Sequence, residues 1–447
     1  MKKSRKHNIV TYAIMLGLGL LFYLLPGEWL CIEDDSVRYL SEGGEGVLPA
    51  YPAFLSLLRI LFSEQYFLHA AVIIQSILAV VCTFLFVKML NEQFQLRRIE
   101  CILLYLLSML PFSIYLPESG ITHQIMTEGI TYALFYLFFT AMIKTIWTLE
   151  YKWYFGSLAM AVLLGMTRSQ MMFLAVVCMA VLLWLIYKKA GGRTLLKLCV
   201  CSLILAAGVV FVFWKKVENS ASQFNTVIMA RGFYEADKED VELFNDDMMQ
   251  EIFLRTYELA DENGRRYEHA KPGLYMWQDL VYDRMNLFAL QAIDEYDENH
   301  PDKRARSEAS VIFELGIKIL LEHFDRYLYH SIRLMMPSFI ATVFFQIEPV
   351  YLLCHFTALF IYLFAIAGSV FVGRMGGDRN VVVFSISIVS ILLVMVVMVN
   401  LLFIGLQRYM VYGMGIFYCA MYLLCKEMLC IFLKKKSWIR RNEGESF

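Results

Sequence analysis

Long apolar stretches separated by short polar segments dominate the chain. A helix needs about 20 apolar residues to cross a bilayer, and the pattern predicts ten such spans. The predicted spans are Ile9–Leu25, Phe67–Val87, Cys101–Leu116, Ile130–Ile146, two within Trp153–Tyr187, Leu195–Trp214, Val350–Val372, Val381–Phe403 and Met410–Leu433.

The stretch Trp153–Tyr187 is interrupted only by Thr167-Arg168-Ser169-Gln170. We interpret it as two short spans that meet at an external turn, because Lys188 and Lys189 then fall on the cytoplasmic side, where basic residues collect. A single kinked span is the alternative, and it would invert the orientation of every later span.

Basic residues at both ends of the chain predict its orientation. Lys2-Lys3-Ser4-Arg5-Lys6 precedes the first span, and the tail from Lys434 to Arg441 follows the last one. Clusters of Lys and Arg stay in the cytoplasm. Ten spans therefore place both termini inside and the loop Cys31–Leu61 outside.

Two further apolar segments do not fit a simple span. Tyr51–Phe62 is too short and carries Arg59, which is typical of an amphipathic helix lying in the membrane interface. Tyr327–Phe345 is interrupted by His330, Arg333 and Pro337. We interpret this second segment as a helix at or in the outer interface, and whether it crosses the membrane stays open.

The region Lys215–Asp325 is the one large polar part of the chain and is external by span parity. The pattern predicts three helices there: Val241–Ala260, Leu274–Tyr296 and Ser307–His323. The chain thus divides into an N-terminal membrane module (1–214), an external helical region (215–346) and C-terminal membrane helices with a basic tail (347–447).

Composition supports the same class. The chain has 59% hydrophobic and 18% charged residues and a mean hydropathy of +0.55, whereas soluble proteins carry about 25% charged residues. We therefore predict an all-α, polytopic membrane protein. The net charge of −1 and the lack of zinc-ligand spacing argue against a nucleic-acid partner. Nucleotide-binding fingerprints and hydrolase motifs are also absent from the sequence.

Ionisable residues collect at the predicted outer ends of the spans. They are Asp34, Asp35, Glu118, His123, Glu128, Arg168 and Arg408, with Tyr409 beside the last. Charged groups at membrane depth are costly and mark functional sites. A carboxylate can take a proton from a hydroxyl group, and an arginine fork fits a phosphate. Each residue also has a structural interpretation, as a solvated loop, an ion pair, a helix-dipole partner or an interfacial anchor.

Short motifs in a fixed order resemble one family. The motifs are Asp35-Ser36-Val37-Arg38-Tyr39, Tyr51-Pro52, Met126-Thr127-Glu128-Gly129, Gly165-Met166-Thr167-Arg168, the helix Ile317–Tyr329 and Gln407-Arg408-Tyr409. The chain is similar to the membrane glycosyltransferases with the C-type fold (GT-C) that use polyprenyl-phosphate sugars, of the protein mannosyltransferase and aminoarabinose transferase type.

The resemblance implies a hexosyl or pentosyl transfer at the outer face of the cell membrane. The donor would be a polyprenyl-phosphate sugar, the acceptor a hydroxyl group of a lipid, glycan or protein, and the anomeric centre would be inverted. Asp35 would be the general base, with Asp34 as the alternative, because Ser36 stands where the family often has Glu.

The resemblance also assigns substrate-binding roles. Arg168 and Arg408 would hold the donor phosphate, and Glu128 would orient a sugar or bind a divalent metal ion, if one is used. Tyr39, Tyr51 and Tyr409 would line the same site. A lipid-linked glycan polymerase or ligase that uses a diphosphate donor, or a flippase, is the alternative function.

Overall fold

The computed structural model describes residues 2–24, 28–40, 48–115, 119–188, 202, 223–265, 285–302, 306–344, 351–402 and 407–444. Within these ranges every regular element is a helix, and the single extended pairing joins Cys31 to Gln124. The predicted span Leu195–Trp214 lies outside the described residues except for Ser202.

In the N-terminal half the described residues form seven α-helices. They are α1 (Lys2–Leu24), α2 (Asp34–Leu40), α3 (Ala50–Phe94), α4 (Arg98–Ser108), α5 (Thr127–Thr148), α6 (Tyr151–Thr167) and α7 (Phe173–Lys188). Helix α5 is central in this half, because it packs against α3, α6 and α7.

The described residues of the C-terminal half add nine more helices. They are α8 (Gln223–Phe233), α9 (Asp247–Glu262), α10 (Met285–Asn299), α11 (Glu308–Glu322), α12 (Phe324–Ala341), α13 (Tyr351–Arg374), α14 (Arg379–Leu402), the short α15 (Gln407–Met410) and α16 (Met414–Gly444).

Six stretches among the described helices are long and apolar enough to cross a membrane. They are Ala50–Phe94, Thr127–Thr148, Ser169–Lys188, Leu353–Arg374, Arg379–Leu401 and Arg408–Lys434. The protein is therefore an all-α protein with helices of membrane-spanning length. The other expected spans within the described residues are shorter: the apolar part of α1 is Ile9–Tyr23, α4 has 11 residues and α6 has 17.

Helix α4 ends earlier than the predicted span Cys101–Leu116. It stops at Ser108 and continues as a 3₁₀ helix, Leu110–Tyr115. Pro111 explains the change, since proline lacks an N–H group and clashes with the preceding turn of an α-helix. The Ser108 carbonyl left at the helix end accepts hydrogen bonds from the hydroxyl groups of Tyr132 (2.8 Å) and Tyr136 (2.7 Å).

Helix α3 contains the predicted interfacial segment Tyr51–Phe62 together with the next span. Ser63 separates the two parts, because its φ of 63° and ψ of 163° are not helical. The short segment therefore has its own direction, and Leu57, Ile60 and Leu61 on it are exposed. Exposed apolar residues on a short helix are the pattern expected at a membrane interface.

The break predicted at Thr167–Gln170 is confirmed. Helix α6 ends at Thr167, Arg168 is extended (φ −144°, ψ 129°), and Ser169–Met172 form one 3₁₀ turn before α7. Helices α6 and α7 then pack against each other. Arg168 therefore sits at the tip of a helical hairpin.

The described part of the polar region is helical, but the first helix predicted there begins later than expected. Residues Lys238–Leu243 form a 3₁₀ helix, and α9 starts only at Asp247. The start is fixed by Asp246, whose carboxylate accepts a hydrogen bond from the Met248 N–H at 3.1 Å, as an N-cap residue does. Of the second predicted helix, residues 274–284 lie outside the described residues and the rest belongs to α10.

Two large hydrophobic cores organise most of the described residues, beside two smaller clusters. One is built from α1, α3 to α7, α13, α14 and α16, and the other from α8 to α12. In the second core α8 packs closely on α11, where a Cβ atom on Gly232 would overlap the backbone of Gly316. Helix α12 contacts α13 and α14 as well as α11, so it joins the two cores.

Candidate functional site

Glu128, Arg168 and Arg408 come together from three distant parts of the chain. Glu128 lies in the first turn of α5, Arg168 at the tip of the α6–α7 hairpin and Arg408 in α15. The Glu128 Oε1 atom lies 2.5 Å from Arg168 Nη1 and 3.6 Å from Arg408 Nε. We call these three residues, with Tyr409 and Tyr412, the arginine cluster.

Arg168 is the most firmly held member of the cluster. Its Nη1 atom contacts Glu128 and also donates to the Tyr412 hydroxyl at 3.2 Å. The Gln170 amide, oriented with its oxygen toward the guanidinium, accepts from Arg168 Nε at 2.8 Å and from Nη2 at 3.2 Å. The guanidinium also lies over the Tyr409 ring, 4.5 Å from its centroid. Protein groups therefore fix Arg168 on several sides.

Arg408 is held by longer contacts. Its Nη2 atom donates to the Tyr409 hydroxyl at 3.4 Å, and Nη1 lies 3.7 Å from the Met126 sulfur. Its side chain is 22% exposed, whereas those of Arg168 and Glu128 are 7% and 1% exposed. Of the two arginines, Arg408 is therefore the one that an incoming ligand can reach.

A network on α3 fixes the segment that leads into Glu128. The buried Gln75 amide donates to the carbonyl groups of Thr122 (2.9 Å) and Gln124 (3.2 Å). Gln75 in turn accepts a hydrogen bond from the Tyr51 hydroxyl at 2.9 Å. Gly129 packs against the same amide, where a Cβ atom would be too close. Such buried polar groups are costly unless paired, so this network holds the start of α5 in one position.

Two predicted tyrosines of the first loop reach the cluster. The Tyr39 ring meets the Tyr51 ring edge-on, with centroids 5.3 Å apart. Tyr39 interacts electrostatically with Arg168, and Tyr51 interacts electrostatically with Glu128. Position 35 lies one turn before position 39 on α2. The side chains of Asp34 and Asp35 themselves lie outside the described residues.

Backbone pairing fixes the first loop beside the start of α5. The Cys31 N–H donates to the His123 carbonyl and the Ile125 N–H donates to the Cys31 carbonyl, both at 3.0 Å. The fully buried His123 ring stacks on Trp29 with centroids 5.4 Å apart, and burial lowers the pKa of His123. Burial and the neighbouring Glu33 raise the pKa of the Cys31 thiol to about 11, so this thiol is protonated at neutral pH.

The charges of the arginine cluster determine which ligands it can bind. Its described side chains carry two guanidinium groups and one carboxylate, which is shared by both arginines. Attraction between charges is stronger where water is excluded. An anion with planar or tetrahedral oxygens could bind to the arginine forks there. In the described part of the chain, no three His, Cys, Asp or Glu side chains are grouped to hold a metal ion.

The structure thus brings together six of the eight residues expected at the site: Tyr39, Tyr51, Glu128, Arg168, Arg408 and Tyr409. The predicted residue Glu118 lies outside the described residues. His123 is described, and it lies in the segment that leads into Glu128. Sequence reasoning missed Gln75, Gln170 and Tyr412. A polar amide inside the apolar stretch around Gln75 was an available signal, whereas nothing local distinguishes Tyr412.

A second set of paired polar groups lies along α12, in which Asp237 and Arg326 are partly exposed and the others are largely buried. The Glu235 carboxylate contacts His330 Nδ1, Asp240 contacts His323 Nε2 at 2.8 Å, and Asp237 accepts from Arg326 at 2.7 Å. Arg231 Nη2 donates to the Ser331 hydroxyl at 2.5 Å. We call these four pairs the α12 seam. They join α8 and the segment after it to one side of α12.

The chain was also compared with known proteins. No protein-family model, no curated protein and no solved structure matches it.

Proposed function

We propose that this chain is an integral membrane glycosyltransferase that moves a sugar from a polyprenyl-phosphate donor to a hydroxyl acceptor at the outer face of the membrane. The acceptor would be a lipid, a glycan or a protein. The proposal includes the ten-span topology, which puts the arginine cluster and the first loop on the outer side.

One observation carries the proposal. Residues singled out for phosphate and sugar binding, from four separate parts of the chain, meet in one buried cluster around Glu128. The Arg408 guanidinium is 22% exposed, and a phosphate fits arginine forks well. Glu128, Arg168 and Arg408 lie at or next to the first residues of three stretches of membrane-spanning length, Thr127–Thr148, Ser169–Lys188 and Arg408–Lys434, which favours a phosphate carried by a lipid.

The reaction would be a single displacement. Asp35, or Asp34 in its place, takes the proton of the acceptor hydroxyl, whose oxygen attacks the anomeric carbon. The bond between that carbon and the phosphate oxygen breaks, and the polyprenyl phosphate leaves with the electron pair. The charge that develops on the leaving phosphate is stabilised by positive groups already in position, as in other preorganised sites. One displacement inverts the anomeric centre.

The two arginines would have different roles. Arg408 is more exposed and would contact the phosphate directly. Arg168 is fixed by Glu128, Tyr412 and Gln170, so it would hold Glu128 in place and add positive potential. Tyr39, Tyr51 and Tyr409 would form the walls around the sugar and the phosphate.

The test is transfer by purified protein in phospholipid vesicles. Radiolabelled hexosyl and pentosyl polyprenyl phosphates are offered with extracted membrane lipids and glycans as acceptors. The expected result is a labelled glycoside of inverted configuration and free polyprenyl phosphate. Asp35→Asn should abolish transfer if Asp35 is the base, and Asp34→Asn should do so if Asp34 is.

Several outcomes would contradict the proposal. Full activity in both aspartate variants would remove the assigned base. Consumption of lipid-diphosphate donors alone would indicate a polymerase or ligase. Movement of intact donor between leaflets, with the glycosidic bond unbroken, would indicate a flippase.

A further inference from the structure

Helix α12 has two faces of opposite character. One face carries the α12 seam, with His330 and Ser331 buried against Glu235 and Arg231. Tyr327 on the same side packs under the Arg231 guanidinium, 4.9 Å from the ring centroid to Cζ. The seam follows the helix for two turns, so this side of α12 packs against α8 and the segment after it.

The other face is exposed, and it is apolar except for Asp325 in the first turn. Phe324, Leu328, Ile332 and Met336 are spaced four residues apart and are 53%, 40%, 54% and 49% exposed. Residues four apart lie on one side of a helix, so these four form a continuous stripe. Tyr329 beside the stripe is also exposed, with the Arg333 guanidinium over its ring. An exposed stripe of this kind marks an interaction surface.

The stripe continues into a helix of membrane-spanning length. The His355 side chain hydrogen-bonds to the backbone of Met336, and Ile340 packs with Cys354 and Ala358 of α13. The end of the stripe is therefore level with the first turns of the candidate span Leu353–Arg374. The outward residues of that span, Leu353, Phe356 and Phe360, are also exposed and apolar.

We propose that the stripe Phe324–Leu328–Ile332–Met336 binds the phospholipid bilayer. Helix α12 then lies along the membrane boundary, with its stripe in the acyl-chain region and its seam facing the helical region above. Tyr329 and Arg333 beside the stripe fit a position at the membrane interface, because aromatic rings and long basic side chains favour it. The helical region is thereby anchored to the membrane next to α15, which carries Arg408 and contacts α12.

The experiment is photo-crosslinking of the full chain in phosphatidylcholine vesicles. The photoreactive residue p-benzoylphenylalanine replaces Leu328, Ile332 or Met336, one at a time, and mass spectrometry measures the lipid adduct. Leu287 on α10 is the matched control, since it is an apolar residue of the same helical region and is 55% exposed. Each variant is used only if it elutes as folded protein in gel filtration, and position 329 replaces any that does not.

The expected result is a phosphatidylcholine adduct several-fold above the Leu287 background at all three stripe positions. An adduct no greater than that background would overturn the proposal. A crosslink to a second copy of the chain, in place of lipid, would also overturn it and would make the stripe a dimer interface. Neither result depends on whether the chain transfers sugars.

Discussion

The arginine cluster and the α12 seam both bury charged groups, but they balance charge differently. In the seam each acidic side chain has its own partner: Glu235 with His330, Asp240 with His323 and Asp237 with Arg326. In the cluster two arginines share Glu128 among the described side chains.

This difference in charge pairing indicates a different role for each region. In the seam each of the three carboxylates lies against a His or Arg side chain of the facing segment, so these pairs join two helical segments. Glu128 is shared by two arginines, and one of them, Arg408, is 22% exposed, so its guanidinium fork is available to a phosphate. The seam therefore suits a structural role and the cluster suits ligand binding.

The largest effect is expected for Glu128→Gln. The substitution removes the shared carboxylate from two buried guanidinium groups, and breaking a buried ion pair costs about 3–5 kcal/mol. Thermal unfolding in detergent should show a large loss of stability. Glu150→Gln is the control, since Glu150 pairs with Lys152 where both are exposed and such pairs contribute less than about 1 kcal/mol. Equal unfolding temperatures for the two variants would contradict the buried pairing.

The next largest effect is expected from substitutions that distinguish the roles of Arg408 and Arg168. Arg408→Lys should lower transfer about 10- to 100-fold, because a charge-assisted hydrogen bond contributes about 1.5–3 kcal/mol and lysine lacks the fork. Its unfolding temperature should stay near that of the parent protein. Arg168→Lys should instead lower the unfolding temperature, because lysine cannot satisfy Glu128, Tyr412 and Gln170 together. Kinetics and thermal unfolding of both variants measure this, and the same response in both would refute the division of roles.

A smaller effect is expected in the seam. Glu235→Gln replaces a buried carboxylate that contacts His330, and the poorly paired group should cost about 1–3 kcal/mol. Hydrogen exchange should increase in α8 and in the first half of α12, while transfer activity is kept. Asp237→Asn is the control, because Asp237 and Arg326 are 40% and 47% exposed. If transfer is lost with Glu235→Gln although the fold is intact, the seam is part of the site.

The smallest effect is a pH dependence at the surface of the helical region. A hydrogen bond from Arg255 Nε, 2.5 Å from Glu295 Oε2, holds the pKa of Glu295 below its ordinary value of 4.5. A lowered carboxyl pKa stabilises the folded state above pH 4.5, and this contribution is lost as the pH falls below that value. Both side chains are about one-third exposed, so the loss is less than about 1 kcal/mol.

Thermal unfolding between neutral pH and pH values well below 4.5 measures the contribution of the Arg255–Glu295 pair to stability. Glu295→Gln should make that part of the acid dependence flatter and leave the rest unchanged. An unaltered acid profile would show that the pair contributes nothing.

Local pattern alone predicted much of the fold. Runs of apolar residues gave helices such as α5, α13 and α14, because hydrophobic length and the absence of breakers are properties of neighbouring residues. The hairpin tip at Arg168 was visible for the same reason. Where a local signal was overlooked, the prediction was wrong, as at Pro111, which ends α4, and at Asp246, which delays α9.

The sequence by itself thus determined an all-α chain with apolar helices of membrane-spanning length, and it named residues that could act together. Only the tertiary structure decided that Glu128 is shared by Arg168 and Arg408, that Arg408 is the more exposed of the two arginines, and that Gln75 and Tyr412 support them. The physical reason is that these contacts join residues far apart in the chain. Their distances depend on how whole helices pack, which no local pattern encodes.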